Sequence, residues 1–322
     1  MTAQSTLPLL LALSAASCAP TTSKEPPRPE RRFHFEYKTT LSGFPADAKL
    51  ARVWIPLPAD DEAQAVTNVK VDSPVPHRVT SESVYGDRAV YLEVVPPFPS
   101  ELPVTLSMDV HRSEISSVKH VAGSPRRERL LEGDRLAPLS TEAHSRANQA
   151  TQGLSDSNAQ AHRIYDRVLA DVNYDKSGVG WGRGDLEYVC AAGKGNCSDF
   201  HSLFIAMARS KSIPAVFEIG FPILVDKKEG TVSGYHCWAW YQDSAGAWRP
   251  VDASEADKDP KRADYFFGTI CQNRVAFSRG RDVVLEPPQK GDPLNFFIYP
   301  YVEVDGKTEV AKAVNDFRFA DL

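Results

Sequence analysis

Two hydrophobic periodicities divide the chain. From about residue 32 to residue 112, apolar and polar residues alternate with the period of two that is typical of half-buried strands. The alternation is clearest at 33–37, 90–94 and 104–110, and prolines and Gly-Asp pairs interrupt it. Several short strands at this spacing predict an N-terminal β-sandwich over residues 32–112.

The period changes after residue 155. Apolar residues then recur at helical spacing, with Ser155 or Asp156 as the expected N-cap. A second helix is predicted from Cys197, and the later apolar runs predict antiparallel strands, which together are an α+β pattern. We assign 113–140 to a connector and 141–322 to a second domain. The predicted strands of that domain are 217–221, 236–241, 248–251 and a final strand within 295–302.

Composition excludes some partners. The 322 residues are 42% apolar and 25% charged, which suits a globular protein with a sizeable core. The net charge of -5 and the absence of a concentrated basic face argue against a nucleic-acid partner. No apolar run of 18 residues follows the N-terminus, so no transmembrane helix is expected there.

The N-terminus has the pattern of an export signal. A short apolar core at 7–13 is followed by small residues and Cys18, which resembles a bacterial lipoprotein signal with Cys18 as the lipidated residue. The alternatives are an ordinary cleaved signal or a misplaced start codon. We expect residues 1–18 to be the signal, residues 19–31 to be an extended tether rich in proline and charge, and the protein to be anchored in the cell envelope.

Three polar residues stand at the edges of predicted elements. Cys197 follows a Gly-rich turn and opens a helix, whose positive end lowers a thiol pKa. His236 begins an aromatic strand and Asp252 ends another. We interpret Cys197 as the nucleophile, His236 as the acid and base, and Asp252 as the group that orients His236. The backbone N–H groups at the helix start, that of Cys197 included, are the expected oxyanion donors.

Other cysteines and acidic residues raise alternatives. In an oxidising compartment, one disulfide among the remaining cysteines is possible, but the sequence does not choose the pair. A zinc site is disfavoured because there is no CxxC and because neighbouring strand residues point to opposite faces. The acidic residues after Asp252 lack EF-hand spacing, so we expect a solvated turn, no metal and no cofactor. The disulfide candidates are Cys190, Cys237 and Cys271. The zinc alternative would use Cys190, Cys197, His201, His236 and Cys237, and the acidic turn contains Glu255, Asp257 and Asp259.

These motifs together resemble the transglutaminase-like superfamily in its bacterial form. The resemblance covers roughly residues 155–310 and is carried by 195–200, 234–238 and 251–252, with further similarity at 273–274, 280–282 and 295–301. It implies a papain-like α+β core in which a helix-borne cysteine packs on an antiparallel sheet. It also implies acyl transfer from a glutamine or amide carbonyl to the thiol, and then to an amine or to water. The implied substrate is a protein or peptide, possibly a cell-wall peptide.

Neighbouring residues are secondary candidates. In animal transglutaminases, a tryptophan upstream of the cysteine stabilises the oxyanion, so Trp181 is a candidate for that role or for lining the cleft, with a plain packing role as the alternative. Asn196 and Tyr235 flank triad members and are expected to shape the cleft. Helix capping and surface hydrogen bonding are the expected roles of Asp199 and His201. The alternative function is a catalytically silent transglutaminase-like binding module in the cell envelope.

Overall fold

The structure is a computed structural model that describes residue 1 and residues 28–121, 125–308 and 310–322. The expected signal peptide, Cys18 and most of the tether lie outside the described residues. In these ranges, no helix has the length and apolar character needed to cross a bilayer.

Fifteen strands and six α-helices are assigned within the described ranges. The strands are β1 Glu30–Ser42, β2 Ala51–Leu57, β3 Gln64–Asp72, β4 His77–Ser81, β5 Arg88–Val94, β6 Glu101–Ser113, β7 Asn173–Tyr174, β8 Lys194–Gly195, β9 Ala215–Pro222, β10 Glu229–Thr231, β11 His236–Gln242, β12 Trp248–Val251, β13 Arg274–Arg279, β14 Tyr301–Val304 and β15 Lys312–Asp321. The helices are α1 Thr141–Ala150, α2 Ser157–Asp171, α3 Leu186–Ala192, α4 Cys197–Ser210, α5 Ala253–Lys258 and α6 Ala263–Phe266.

The six N-terminal strands, together with β10, β14 and β15, form a β-sandwich. One sheet has the strand order β10-β15-β1-β6-β3 and the other has the order β14-β2-β5-β4. The long strands β1 and β6 pair antiparallel from end to end. Alternate residues of both sheets, such as Phe35 and Val53, are buried in one shared core. The period-two pattern therefore predicted the sandwich correctly, because each sheet buries one face.

The second half packs helices on an antiparallel sheet. The sheet order is β12-β11-β9-β13, and α4 contacts both β9 and β11. Helices α1, α2 and α3 also contact α4, so that every residue from Cys197 to Arg209 is buried. This arrangement confirms the predicted α+β class and places the start of α4 beside the start of β11.

The C-terminal strands return to the sandwich. Strand β15 pairs with β1 from Phe33↔Asp321 to Ser42↔Lys312, and β14 pairs with β2. Strand pairing therefore does not follow the expected division at residue 140, since residues assigned to the second domain complete both sandwich sheets. The expected strand within 295–302 is wrong for residues 295–300, which form an irregular segment with Phe297 and Ile298 buried.

A buried ionic cluster joins the two halves. The guanidinium of Arg279 on β13 bonds Asp61 at 2.7 Å and pairs with Glu218 on β9. Arg112 on β6 is fully buried, and its Nη1 lies 3.7 Å from the Asp61 carboxylate. Removing one partner of such a cluster typically costs roughly 3–5 kcal/mol, because it leaves an uncompensated buried charge. The cluster therefore fixes how the sandwich sits against the second sheet.

Candidate active site

Cys197 is the first residue of α4. The side chain of the N-cap residue Asn196 accepts the Ser198 N–H at 2.8 Å, and the Asp199 carboxylate accepts the Asn196 N–H at 2.8 Å. This reciprocal capping box defines the helix start. It places the Cys197 thiol at the positive end of the helix, which stabilises a thiolate.

Asp199 also holds the preceding Gly-rich loop. Its buried carboxylate accepts the N–H of Gly182 at 2.7 Å and the N–H of Gly184 at 2.9 Å. Gly182 and Gly184 both have positive φ, a conformation that favours glycine. The expected capping role of Asp199 is therefore present, and the same side chain fixes the loop beside the thiol.

His236 and Asp252 meet across two neighbouring strands. His236 is the first residue of β11, and Asp252 follows the last residue of β12 and caps α5. The Nε2–H of His236 donates to Oδ2 of Asp252 at 2.8 Å. This bond leaves Nδ1 as the ring nitrogen available to the thiol of Cys197, and the two residues influence each other's ionisation. The structure therefore brings all three predicted residues together.

The electrostatics of the site favour a thiolate on Cys197 and an imidazolium on His236. A hydrogen bond from the Cys237 thiol lowers the pKa of Cys197 well below its usual range, with His236 adding to the effect and burial opposing it. Burial opposes protonation of His236, but the Asp252 carboxylate outweighs it and raises the pKa of His236 to about 10. Burial likewise opposes ionisation of Asp252, but His236 and Arg274 hold its pKa far below the usual range. A thiolate beside an imidazolium is therefore favoured near neutral pH.

Cys237 and His201 form a second buried layer. Sγ of Cys237 lies 3.6 Å from Nδ1 of His201 and 3.8 Å from Oγ of Ser198. Nε2 of His201 accepts the Ala253 N–H at 3.1 Å, so its proton is on Nδ1, and burial lowers its pKa. The expected surface role of His201 is wrong, because all sides of α4 are covered at this level and the side chain is fully buried.

The secondary candidates lie close to these residues. Nδ2 of Asn196 donates to Oη of Tyr235 at 3.2 Å. The Tyr235 ring packs against Phe296 and Tyr299, with centroid distances of 5.6 Å and 6.0 Å. The indole N–H of Trp181 donates to the Gly178 carbonyl at 3.2 Å, inside its own loop. Asn196 and Tyr235 thus contact each other next to Cys197, whereas the Trp181 donor is already engaged.

Arg274 was not identified from the sequence as a partner of Asp252. Its Nη1 donates to Oδ2 of Asp252 at 3.1 Å, and the side chain is buried. The residue stood in a stretch that resembled the family, but a single arginine at the start of a strand gave no sign of its partner. Phe296 and Tyr299 were missed because the apolar run at 295–302 predicts a strand, whereas the segment is irregular up to residue 300.

The structure also bears on the disulfide, the zinc site and the acidic turn considered from the sequence. Cys190, Cys197, Cys237 and Cys271 are all free thiols, so the disulfide left open by the sequence is not formed among them. Within the described ranges, no group of three or more His, Cys, Asp or Glu side chains is arranged to hold a metal ion. The expected acidic turn is mostly the helix α5, in which Glu255 pairs with Lys258 at 2.7 Å.

Comparison with known proteins agrees with this geometry. Residues 144–253, which include Cys197, His236 and Asp252, match the model of the transglutaminase-like superfamily core. The chain carries a transglutaminase-like domain. A protein of Haemophilus influenzae described as uncharacterized is 26% identical over 310 residues, covering 79% of this chain and 80% of the relative.

Solved structures share the fold. A candidate cysteine protease from Cytophaga hutchinsonii superposes with a TM-score of 0.62 at 15% identity, over 91% of each chain. The periplasmic domain of TgpA from Pseudomonas aeruginosa has a TM-score of 0.35 at 14% identity, over 69% of this chain and 92% of that domain. The first similarity extends the shared fold beyond the transglutaminase-like domain to the sandwich.

Proposed function

We propose that the protein is a thiol enzyme that acts on amide or peptide carbonyls, of glutamine type, through Cys197, His236 and Asp252. The observation that carries the proposal is the 2.8 Å hydrogen bond from His236 to Asp252, together with the lowered pKa of the Cys197 thiol and the raised pKa of the His236 imidazole. Opposed pKa shifts in a coupled thiol and imidazole are typical of catalytic thiols.

In the first step, the Cys197 thiolate attacks the carbonyl carbon of the substrate. A C–S bond forms, and the tetrahedral intermediate carries its negative charge on oxygen. When the C–N bond breaks, the leaving nitrogen takes the proton from the imidazolium of His236. The products are an acyl-thioester on Cys197 and an amine, or ammonia if a glutamine side chain reacts.

The oxyanion requires donors beside the thiol. The N–H groups of Asn196 and Ser198 are occupied by the capping box. We therefore assign the oxyanion to the Cys197 N–H, with the Tyr235 hydroxyl as the second donor. Burial, followed by the nearby Cys197, raises the pKa of Tyr235, which keeps its proton available. Trp181 is not included, because its N–H is bonded to Gly178.

In the second step, water or an amine attacks the thioester. Neutral His236 takes the proton of the acceptor, the C–S bond breaks, and the thiolate returns. Water gives hydrolysis, as in a cysteine peptidase or amidase, and an amine gives transfer. Cys197 and His236 are only 3% and 7% exposed, so the acceptor must reach a site largely shielded from bulk water.

The proposed location is the bacterial cell envelope. It is supported by the apolar core at 7–13 and by Cys18, where we propose a lipid anchor. An envelope enzyme would meet secreted proteins and the peptides of the cell wall, which are the substrates we propose. Labelling cells with a tagged fatty acid tests the anchor. The label should be incorporated by the full-length chain and lost in Cys18→Ala.

Turnover of defined peptides tests the reaction. The full-length protein is incubated with glutamine-containing peptides, with and without a primary amine, while ammonia release and product mass are measured. Replacement of the side-chain NH2 by the added amine identifies transfer. Replacement of that NH2 by OH, or peptide cleavage with addition of water, identifies hydrolysis. Cys197→Ala should be inactive and Cys190→Ala should match the wild type. If Cys197→Ala turns over peptide at the wild-type rate, the proposal is wrong. Peptide binding without any turnover by the wild type would favour the silent binding module.

A further inference from the structure

Asp252 has a second buried partner besides His236. Arg274, the first residue of β13, donates from Nη1 to Oδ2 of Asp252 at 3.1 Å, and this is the oxygen that His236 bonds at 2.8 Å. Arg274 is 5% exposed, and Asp252 is fully buried. One carboxylate oxygen therefore accepts from both the imidazole and a permanent cation.

The guanidinium of Arg274 is itself held in place. Its central carbon lies 4.7 Å from the centre of the Trp238 ring, which is within cation–π range. The Trp238 indole N–H donates to Glu218, whose Oε2 also accepts the Trp240 N–H at 2.8 Å. Glu218 thus fixes the ring against which Arg274 packs, and Arg274 has one orientation toward Asp252.

The other carboxylate oxygen of Asp252 is occupied. Oδ1 accepts the Glu255 N–H at 3.2 Å and the Ser254 hydroxyl at 3.3 Å. If Arg274 were removed, Oδ2 would keep His236 as its hydrogen-bond partner but lose the cation. A buried carboxylate that loses a cation binds a proton more readily, and one that loses a hydrogen bond is less well oriented.

We infer that Arg274 is a positioning residue of the proposed reaction, which keeps Asp252 ionised and directs its Oδ2 at His236. The inference rests on the proposed function and adds a fourth member to the Cys-His-Asp arrangement. Arg274 is not predicted to contact the substrate. It acts through Asp252.

Several other ionisable groups face Asp252 and Arg274. Among them, Lys258 is paired with Glu255, and His201 accepts a backbone N–H through Nε2, so that its neutral form is favoured. Arg274 therefore supplies a fixed positive charge in direct contact with Asp252. The ionisable groups that face Asp252 or Arg274 are Cys197 and His201 on α4, His236 and Cys237 on β11, Glu255 and Lys258 on α5, Tyr165 on α2, Arg112 on β6, and Cys271 before β13.

Removing the positive charge of Arg274 should change the pKa values of its neighbours in one direction. Loss of a buried cation disfavours the ionised forms of nearby acids, so the pKa values of both Asp252 and Cys197 should rise. The acid limb of thiolate formation at Cys197 should therefore move to higher pH in Arg274→Gln. Arg274→Lys keeps the positive charge but lacks the planar guanidinium. The acid limb of Cys197 should therefore move less in this variant, although Asp252 is still less well oriented.

The test is the pH dependence of iodoacetamide alkylation at Cys197 in the full-length protein, followed by peptide mass mapping. We expect Arg274→Gln to raise the midpoint of the acid limb by about one pH unit, which is a ~10-fold loss of thiolate on that limb. Arg274→Lys should shift it less. The matched control is Arg249→Gln on β12, where a partly exposed arginine bonds Asp243 at 2.9 Å, and it should leave the midpoint unchanged.

Turnover gives the second readout. Arg274→Lys and Arg274→Gln should lower kcat with KM nearly unchanged, because Arg274 does not touch the substrate. A folded Arg274→Gln with a wild-type midpoint and a wild-type kcat would overturn the inference. If that variant does not fold, Arg274→Lys decides, and it overturns the inference if its kcat is that of the wild type. A wild-type Cys197 that titrates like a free thiol would instead refute the proposed function.

Discussion

Two thiols seven residues apart have opposite environments. Cys197 is the first residue of α4, whereas Cys190 lies in the second half of α3. Burial raises the pKa of Cys190, and the carboxylates of Glu142 and Asp171 add to this, against the effect of Arg146. The pKa of Cys197 is lowered although the residue is more deeply buried.

The difference shows that exposure does not determine which thiol has the lowered pKa. Cys190 is partly exposed, and Cys197 is 3% exposed. Cys197 lies at the positive end of a helix and beside His236, whereas Cys190 has two carboxylates nearby and lies toward the negative end of its helix. Charges and hydrogen-bond donors close to the sulfur therefore decide its ionisation.

Replacing Cys197 and Cys190 in turn should give the largest difference in turnover. Cys197→Ala should abolish turnover, because no other described side chain takes its place as nucleophile in the proposed reaction. Cys190→Ala should leave kcat and KM within about twofold, since Cys190 is outside the site. Ammonia release from a glutamine peptide measures both. Loss of activity in Cys190→Ala with the fold intact would contradict the distinction drawn between the two thiols.

Replacing the partners of Cys197 should have the next largest effect. His236→Ala should lower kcat by on the order of 10²–10⁴-fold, because proton transfer to the leaving nitrogen is lost. Asp252→Ala should cost less than Cys197→Ala, because Asp252 orients and does not react. Single-turnover kinetics on variants shown to be folded by circular dichroism measure these losses. An Asp252→Ala enzyme with unchanged kcat would contradict the role given to Asp252.

The pH profiles of turnover and alkylation should differ. The pKa of His236 is raised to about 10, so imidazolium is available below that pH and is lost above it. Turnover should therefore fall above about pH 10, whereas alkylation of the Cys197 thiolate should not fall there. Rates in overlapping buffers from pH 5 to about 10.5 check this. A basic limb near the ordinary histidine value of about 6.5 would contradict the proposed ion pair.

Removing a helix cap should give the smallest effect. Asn196→Ala should destabilise the protein by about 1 kcal/mol, and so should the matched variant Asp185→Ala at the N-cap of α3. Only Asn196→Ala should move the alkylation midpoint of Cys197 upward. Urea unfolding measures the stability, and alkylation measures the midpoint. Equal midpoint shifts in both variants would indicate a general effect of destabilisation.

The sequence was most informative where a local pattern carries the signal. Alternation predicted β1, β5 and β6, and the Gly-Asn-Cys turn predicted the start of α4 at Cys197. These features depend on neighbouring residues, so period and capping chemistry are enough to find them. The juxtaposition of Cys197, His236 and Asp252 was predicted from the order of three element edges together with the family resemblance.

Features that depend on long-range pairing were not predicted. Strand β15 completes a sandwich sheet beside β1, about 280 residues earlier in the chain, and its own composition does not name that partner. His201 was expected at the surface because a single helix pattern does not show how many elements will cover it. Arg274 was missed because its partner Asp252 is on another strand, and local sequence carries no sign of that contact.

The most direct measurement is iodoacetamide alkylation of Cys197 and Cys190 in the same molecules from pH 4 to pH 10, resolved by peptide mass mapping. We expect a Cys197 midpoint well below the roughly 8.5 of a free thiol, and a Cys190 midpoint above it. His236→Ala should raise the first midpoint and leave the second unchanged. Two coincident midpoints near 8.5 in the folded protein would contradict the central claim that the surroundings of Cys197, with Cys237 and His236 among them, activate its thiol.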